Sequence, residues 1–308
     1  MKRLLLCLLS TGLLAGCSVA ERAVLGGYLI THRMQGHELR MSDGYLDHYF
    51  VRTYGDEGAT DTLLFYVQGS GSETAQMTCR FLLDGIPGNV RAYALEKRYI
   101  SQWSTGKGDP PQTHIEHHTP SSWLADQKEF LGHVLGESDL RGKNIVVFGT
   151  SAGGMIAAQL AQQVPQITHL VMLGEGGMKE LDAFRLWGRR HGTDFDEVYR
   201  MVRADPSPSK ALGGHSHRWW LETLETDPMD TLGTLEIPVL AVMGEADESV
   251  PLETLTYLRE EFARRGKTNL TTRVYTGCDH ALDECHGHPD RSAFRKDLVD
   301  WLRAHPIA

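Results

Sequence analysis

The stretch Asn144-Ile145-Val146-Val147-Phe148-Gly149-Thr150-Ser151-Ala152-Gly153 decides the fold. Its apolar, β-branched first half reads as a strand buried on both faces, as in a parallel sheet. Small apolar residues follow from Ala152 to Val164 and stop at Pro165, which reads as a helix. Between the two lies Gly149-Thr150-Ser151-Ala152-Gly153, a match to G-x-S-x-G in the strand-to-helix setting that gives the pattern meaning. So sharp a turn puts the serine in a strained backbone conformation, and the flanking glycines leave room for it. The helix N-terminus then aims its free N–H groups and positive dipole end at any negative charge forming beside the serine. Ser151 is therefore the candidate nucleophile.

Further strands lie on both sides of this stretch. Tyr45 to Arg52 alternates weakly and suggests an outer strand or hairpin. Thr62 to Val67, Val90 to Leu95, Thr168 to Leu173, Val239 to Met243 and Leu270 to Tyr275 read as buried strands. Helical stretches fall between them at Ser121–Leu135 and Leu252–Arg265, and 292–304 closes the chain with Phe294, Leu298 and Leu302 on one face. Alternating strands and helices predict an α/β fold with a mostly parallel sheet of about seven or eight strands. From about Met178 to Leu235 no strand is expected. That polar and aromatic stretch, with Trp187, Tyr199, Trp219 and Trp220, predicts a helical cap inserted after the sixth strand.

A serine hydroxyl needs a base. His280 lies just beyond the last expected strand, in Gly277-Cys278-Asp279-His280-Ala281, where strand ends meet ligands. His286 and His288 are rivals in the same loop. A base needs a carboxylate to fix its tautomer. Asp247 follows the strand Val239–Met243 and precedes Val250-Pro251. Glu245 and Glu248 beside it read as solvated, and Glu175 after the sixth strand is a less usual place for the acid.

The order Ser151, Asp247, His280 resembles that of the α/β-hydrolases, and the likeness runs from about residue 45 to the C-terminus. It implies acyl transfer to water through an acyl-enzyme, without a cofactor. It also implies an oxyanion hole made by the N–H of Ala152 and one N–H from the loop after Thr62–Val67. The family often has His-Gly there, whereas this chain has Gln68-Gly69-Ser70-Gly71. Gly69 and Ser70 are the candidate donors, with Ser70 preferred. The expected substrate is a small molecule carrying a carboxylic ester. An amide or peptide is the alternative, and a non-turnover binding or structural role in the cell envelope is a third reading, which the intact triad opposes.

Other residues of metal-ligating type cluster at His114, Glu116, His117 and His118, and from Cys278 to His288. Neither group shows a tight zinc spacing, so no metal site is expected.

At 308 residues, with 41% hydrophobic and 23% charged residues, the chain suits one large core with or without an insertion. A net charge of −9 without a basic patch sets nucleic acid aside as a partner. Lys2 and Arg3 precede an apolar run ending in Leu14-Ala15-Gly16-Cys17. The run is shorter than the roughly 20 residues of a membrane span and reads as a secretory signal. Its end resembles the lipobox of bacterial lipoproteins, which implies a signal at 1–16 and lipid on Cys17. A tether is then expected over 17–44. Ser18 after the cysteine implies the outer membrane, facing the periplasm. Cys79, Cys278 and Cys285 remain inside the fold and allow one disulfide. Cys278–Cys285 would clamp a short loop, and Cys79 with either is the alternative.

Overall fold

The computed structural model describes residues 27, 34–282, 285 and 291–307. Its strands are β1 (Gln35–Arg40), β2 (Leu46–Tyr54), β3 (Thr62–Val67), β4 (Val90–Leu95), β5 (Asn144–Thr150), β6 (His169–Leu173), β7 (Ala211–Leu212), β8 (His215–Ser216), β9 (Val239–Gly244) and β10 (Leu270–Tyr275). Strand β3 shows why its apolar run is continuous. Successive side chains point to opposite faces: Leu63, Phe65 and Val67 enter one apolar cluster, Leu64 and Tyr66 the other. Each fully buried Leu, Val or Phe contributes roughly 1.5–3 kcal/mol.

The main sheet has eight strands in the order β1-β2-β4-β3-β5-β6-β9-β10. The β1–β2 and β2–β4 pairs are antiparallel and the others parallel. Helices α1 (Ala75–Leu83), α2 (Gln112–His117), α3 (Pro120–Glu137) and α4 (Ala152–Gln163) precede the sixth strand in the chain. One face of the sheet is covered by α1 and the other by α3 and α4. From β3 the chain moves sideways to β4, then passes back over β3 to β5. That reversal opens a crevice beyond the carboxyl ends of β3 and β5, the usual ligand position in such sheets.

Three expectations are corrected. The fold, expected to begin at residue 45, already includes residues 34–40, because Gln35–Arg40 pairs with Leu46–Tyr54 and Met34 is buried. Strand β10 is not buried on both faces: it has one neighbour, and Arg273 and Val274 are exposed. The 178–235 stretch does hold strands, the two-residue pair β7–β8. Gly213 and Gly214, both with positive φ, make its turn, and strands so short leave no periodicity to read. Around this hairpin lie α5 (Glu180–His191), α6 (Phe195–Ala204), α7 (His217–Glu225) and α8 (Met229–Leu232). Leu181, Phe195, Val202, Trp219 and Trp220 form an apolar cluster of their own. After β9 come α9 (Glu253–Arg264) and, at the C-terminus, α10 (Ser292–Ala304). The signal, Cys17, His286 and His288 lie outside the described residues. Among the described residues no helix is long and apolar enough to cross a membrane.

Candidate active site

Ser151 stands between β5 and α4 with φ 51° and ψ −134°. A positive φ in a residue that is not glycine costs on the order of 1–3 kcal/mol and persists only where neighbours hold it. Ser151 N–H donates to the Leu173 carbonyl at 2.7 Å, and Gly154 N–H donates to the Ser151 carbonyl at 2.7 Å. Close packing also fixes the turn, since a Cβ on Gly153 would lie 2.3 Å from the Val67 carbonyl oxygen. Helix α4 can therefore start directly against the end of β3.

The loop after β3 closes over this turn. A Cβ on Gly69 would stand 2.9 Å from the Thr150 carbonyl oxygen and 3.0 Å from Ser151 Cβ. Only glycine lets the loop come so near the serine. Gln68, which stands where the family often has His, is buried and donates from Nε2 to the Glu73 carbonyl at 2.8 Å. Gly69, Ser70 and Ala152 line one cleft with His118, Trp123, Met155, Ile156 and Trp219. Among the described residues the amides of Ser70 and Ala152 have no acceptor. The cleft thus combines free N–H donors with an apolar wall.

His280 follows β10, and Asp247 follows β9. Parallel pairing of these strands brings the two residues together. His280 Nδ1–H donates to Asp247 Oδ2 at 2.7 Å. Asp247 Oδ1 accepts from Ser249 N–H at 2.8 Å and Val250 N–H at 2.9 Å, and its side chain is fully buried. The imidazole packs over Gly174, where a Cβ would lie 2.6 Å from the ring. Gly174 directly follows Leu173, whose carbonyl holds the Ser151 amide. Serine turn and imidazole therefore meet over the same short segment. Burial alone would lower the His280 pKa. The hydrogen bond and charge of Asp247, with Asp279 and Glu175, outweigh it and hold the pKa above the usual value.

Glu175 belongs to the same neighbourhood, but its Oε1 accepts from the amides of Gly176 and Gly177. Burial pushes its pKa up to about 7. Burial, then the nearness of Glu175, holds Glu180 far above the carboxylate range. Glu245 accepts from Gly277 N–H in an exposed loop. The carboxylate that His280 bonds is that of Asp247.

The histidines near residue 114 pack against one another and the chain. His114 Nδ1 bonds the Arg98 carbonyl at 2.9 Å, and the His114 and His118 rings stack at 4.7 Å. Among the described residues no group of three or more His, Cys, Asp or Glu is placed to hold a metal ion. Cys278 and Cys285 form a disulfide around the His280 segment, and Cys79 is a free buried thiol. Sequence reasoning gave no role to His118 or Trp123 beside the serine. Their wall is assembled from the junction of α2 and α3, from α4 and from α7, far apart in the chain, so no local motif marks it.

Residues 103–305 match the prolyl oligopeptidase family. The acylamino-acid-releasing enzyme of Rattus norvegicus is 23% identical over 203 residues. That match covers 66% of this chain and 26% of the relative, so the chain spans about a quarter of the relative's length. An esterase of Pyrococcus furiosus is similar with a TM-score of 0.58 at 15% identity, covering 89% of this chain and 92% of the other. A soluble variant of monoglyceride lipase from Saccharomyces cerevisiae is similar with a TM-score of 0.61 at 15% identity, covering 89% and 96%. Likenesses at this identity show the shared α/β-hydrolase fold.

Proposed function

The chain belongs to the prolyl oligopeptidase family, and we propose that it is a serine hydrolase cleaving a carboxylic ester through Ser151, His280 and Asp247. One observation carries the reading: a serine of strained backbone adjoins a cleft whose Ser70 and Ala152 amides have no acceptor among the described residues, and its amide is held by Leu173, next to the Gly174 over which packs a histidine bonded to a buried aspartate. Asp247 keeps the proton of His280 on Nδ1 and leaves Nε2 as the base. Nε2 takes the Ser151 proton as Oγ attacks the carbonyl carbon. The negative charge on the former carbonyl oxygen rests on the N–H groups of Ala152 and the Gly69–Ser70 loop. His280 returns its proton to the leaving alcohol, then activates the water that releases the acid. Nothing in this sequence of steps calls for a cofactor.

The apolar wall of Trp123, Met155, Ile156 and Trp219 suits the hydrocarbon part of an acyl ester. The likeness to an esterase and a lipase supports the same choice. A second reading, hydrolysis of an amide or peptide bond, is favoured by the family and by the acylamino-acid-releasing relative. Steady-state rates on p-nitrophenyl esters and aminoacyl-nitroanilides test the choice. Higher kcat/KM on the esters, lost in Ser151→Ala, is the expected result. Turnover confined to the anilides would overturn ester specificity. We further propose that Cys17 carries lipid and holds the enzyme at the outer membrane, on the strength of Leu14-Ala15-Gly16-Cys17 alone.

A further inference from the structure

Lys97 is among the most deeply buried polar residues, 1% exposed, although no step above uses it. It follows β4, whose parallel neighbour β3 leads into the Gln68–Gly71 loop. Its Nζ donates to the carbonyls of both Gly69 and Gly71. Leaving an ammonium in the interior is costly unless it is paired and bonded. Here Glu73 and Glu96 oppose the effect of burial, which brings the Lys97 pKa down to about 8. Glu96 is itself held by Thr74 Oγ1, at 2.5 Å, and by the amides of Ala75 and Lys97. The Trp123 ring lies 6.0 Å from Nζ.

Peptide geometry gives this clamp a consequence. In a trans, planar peptide the C=O of one residue and the N–H of the next point in opposite directions. Fixing the Gly69 carbonyl on Lys97 therefore turns the Ser70 N–H away from Lys97. Ser70 lines the cleft that also holds Ala152, and both amides lack an acceptor among the described residues. We propose that Lys97 is a positioning residue: by clamping the Gly69 and Gly71 carbonyls it aims the Ser70 N–H at the substrate oxygen that becomes negative. This rests on the serine-hydrolase reading and selects Ser70 over Gly69 as the second donor.

The test compares Lys97→Met with the parent on the full chain. The readouts are kcat, KM, and affinity for a trifluoromethyl ketone, which forms an oxyanion on the serine, and for the product acid, which does not. Activity is normalised to sites titrated with a fluorophosphonate, and thermal denaturation is followed in parallel. One mis-aimed donor lowers kcat and ketone affinity by about 10²–10³-fold. KM and product-acid affinity should stay within about threefold. A folded variant with a lower Tm but unchanged kcat and ketone affinity per titrated site would overturn the proposal. Should Lys97→Met not fold, replacing the Gly69–Ser70 amide by an ester tests the aimed donor itself, since it deletes that N–H and also weakens the Gly69 carbonyl as an acceptor for Lys97. Ketone affinity should fall by the same factor, and unchanged affinity would overturn the proposal. Failure of the underlying reading is separately visible, as turnover that survives Ser151→Ala.

Discussion

On the proposed mechanism, Asp247 governs the acid limb of the rate profile. His280 acts as a base only when neutral, and its pKa is held above the usual value near 6.5 by Asp247, Asp279 and Glu175 against the opposing effect of burial. As pH falls through that raised value, kcat/KM is expected to fall with it. Asp247→Asn removes the charge and the tautomer control together. The limb then moves to lower pH and kcat drops by about 10⁴-fold. A pH–rate series on both proteins checks this, and an unmoved limb would assign the titration elsewhere. At this scale much of the site was legible. Ser151, Asp247 and His280 each follow a strand with its own apolar signature; the structure pairs His280 with Asp247 and sets the imidazole over Gly174, next to the Leu173 carbonyl that holds the Ser151 amide. Lys97 was not legible, because a lysine after a strand carries no mark of burial. Its role depends on two carbonyls reached through neighbouring strands. The choice between Asp247 and Glu175 turned on which carboxylate the histidine ring faces, a matter of packing over Gly174.

Single elements carry their own tests. Helix α4 starts where it does because Gly153 lies against the end of β3, with no room for a Cβ beside the Val67 carbonyl. Gly153→Ala pushes these elements apart and should cost at least about 2 kcal/mol, read as a lower urea midpoint. The His280 segment is bound by Cys278–Cys285. A loop so short yields roughly 2 kcal/mol from its cross-link. The paired change Cys278→Ser with Cys285→Ser should therefore lower kcat, by loosening the base, while the sheet keeps its cooperative unfolding. Wild-type kcat in the double variant would show that β10 and Asp247 suffice to place His280. Central strands β3, β4, β5, β6 and β9 were legible because burial on both faces demands unbroken apolar runs. Strand β1 was not, since as an edge strand it leaves four of the six residues Gln35–Arg40 exposed and buries only Leu39, so it shows no apolar run. The β7–β8 hairpin was too short to show a period, and Gly213-Gly214 was its one sign.

Across the whole molecule, buried titratable groups set how stability depends on pH. Burial raises Asp47, Glu96 and Glu175 to about 7, 8 and 7. Unfolded carboxylates ionise near 4, so over this interval the folded state binds more protons and stability falls as pH rises. His114 and His215 act in the opposite sense, lowered by burial to about 4 and 3. Their effect ends near pH 6.5, where unfolded histidine loses its proton. Lys97 adds stability only above about 8. Between about pH 6.5 and 8 the carboxylates act without that opposition, and the raised His280 acts with them. The urea midpoint is expected to decline over this window and to decline less in Glu96→Gln. A midpoint that rises there would contradict the burial of these groups. At the same scale, Cys17→Ser should release the protein from membranes, and unchanged retention would count against the lipid anchor. The central claim is that Ser151 is the nucleophile of a working acyl-transfer site. The most direct measurement is mass spectrometry of the native chain after reaction with a fluorophosphonate. The account predicts one adduct, on Ser151, that is abolished in Ser151→Ala and greatly slowed in Asp247→Asn. An adduct on another residue, or labelling that persists in Ser151→Ala, would contradict it.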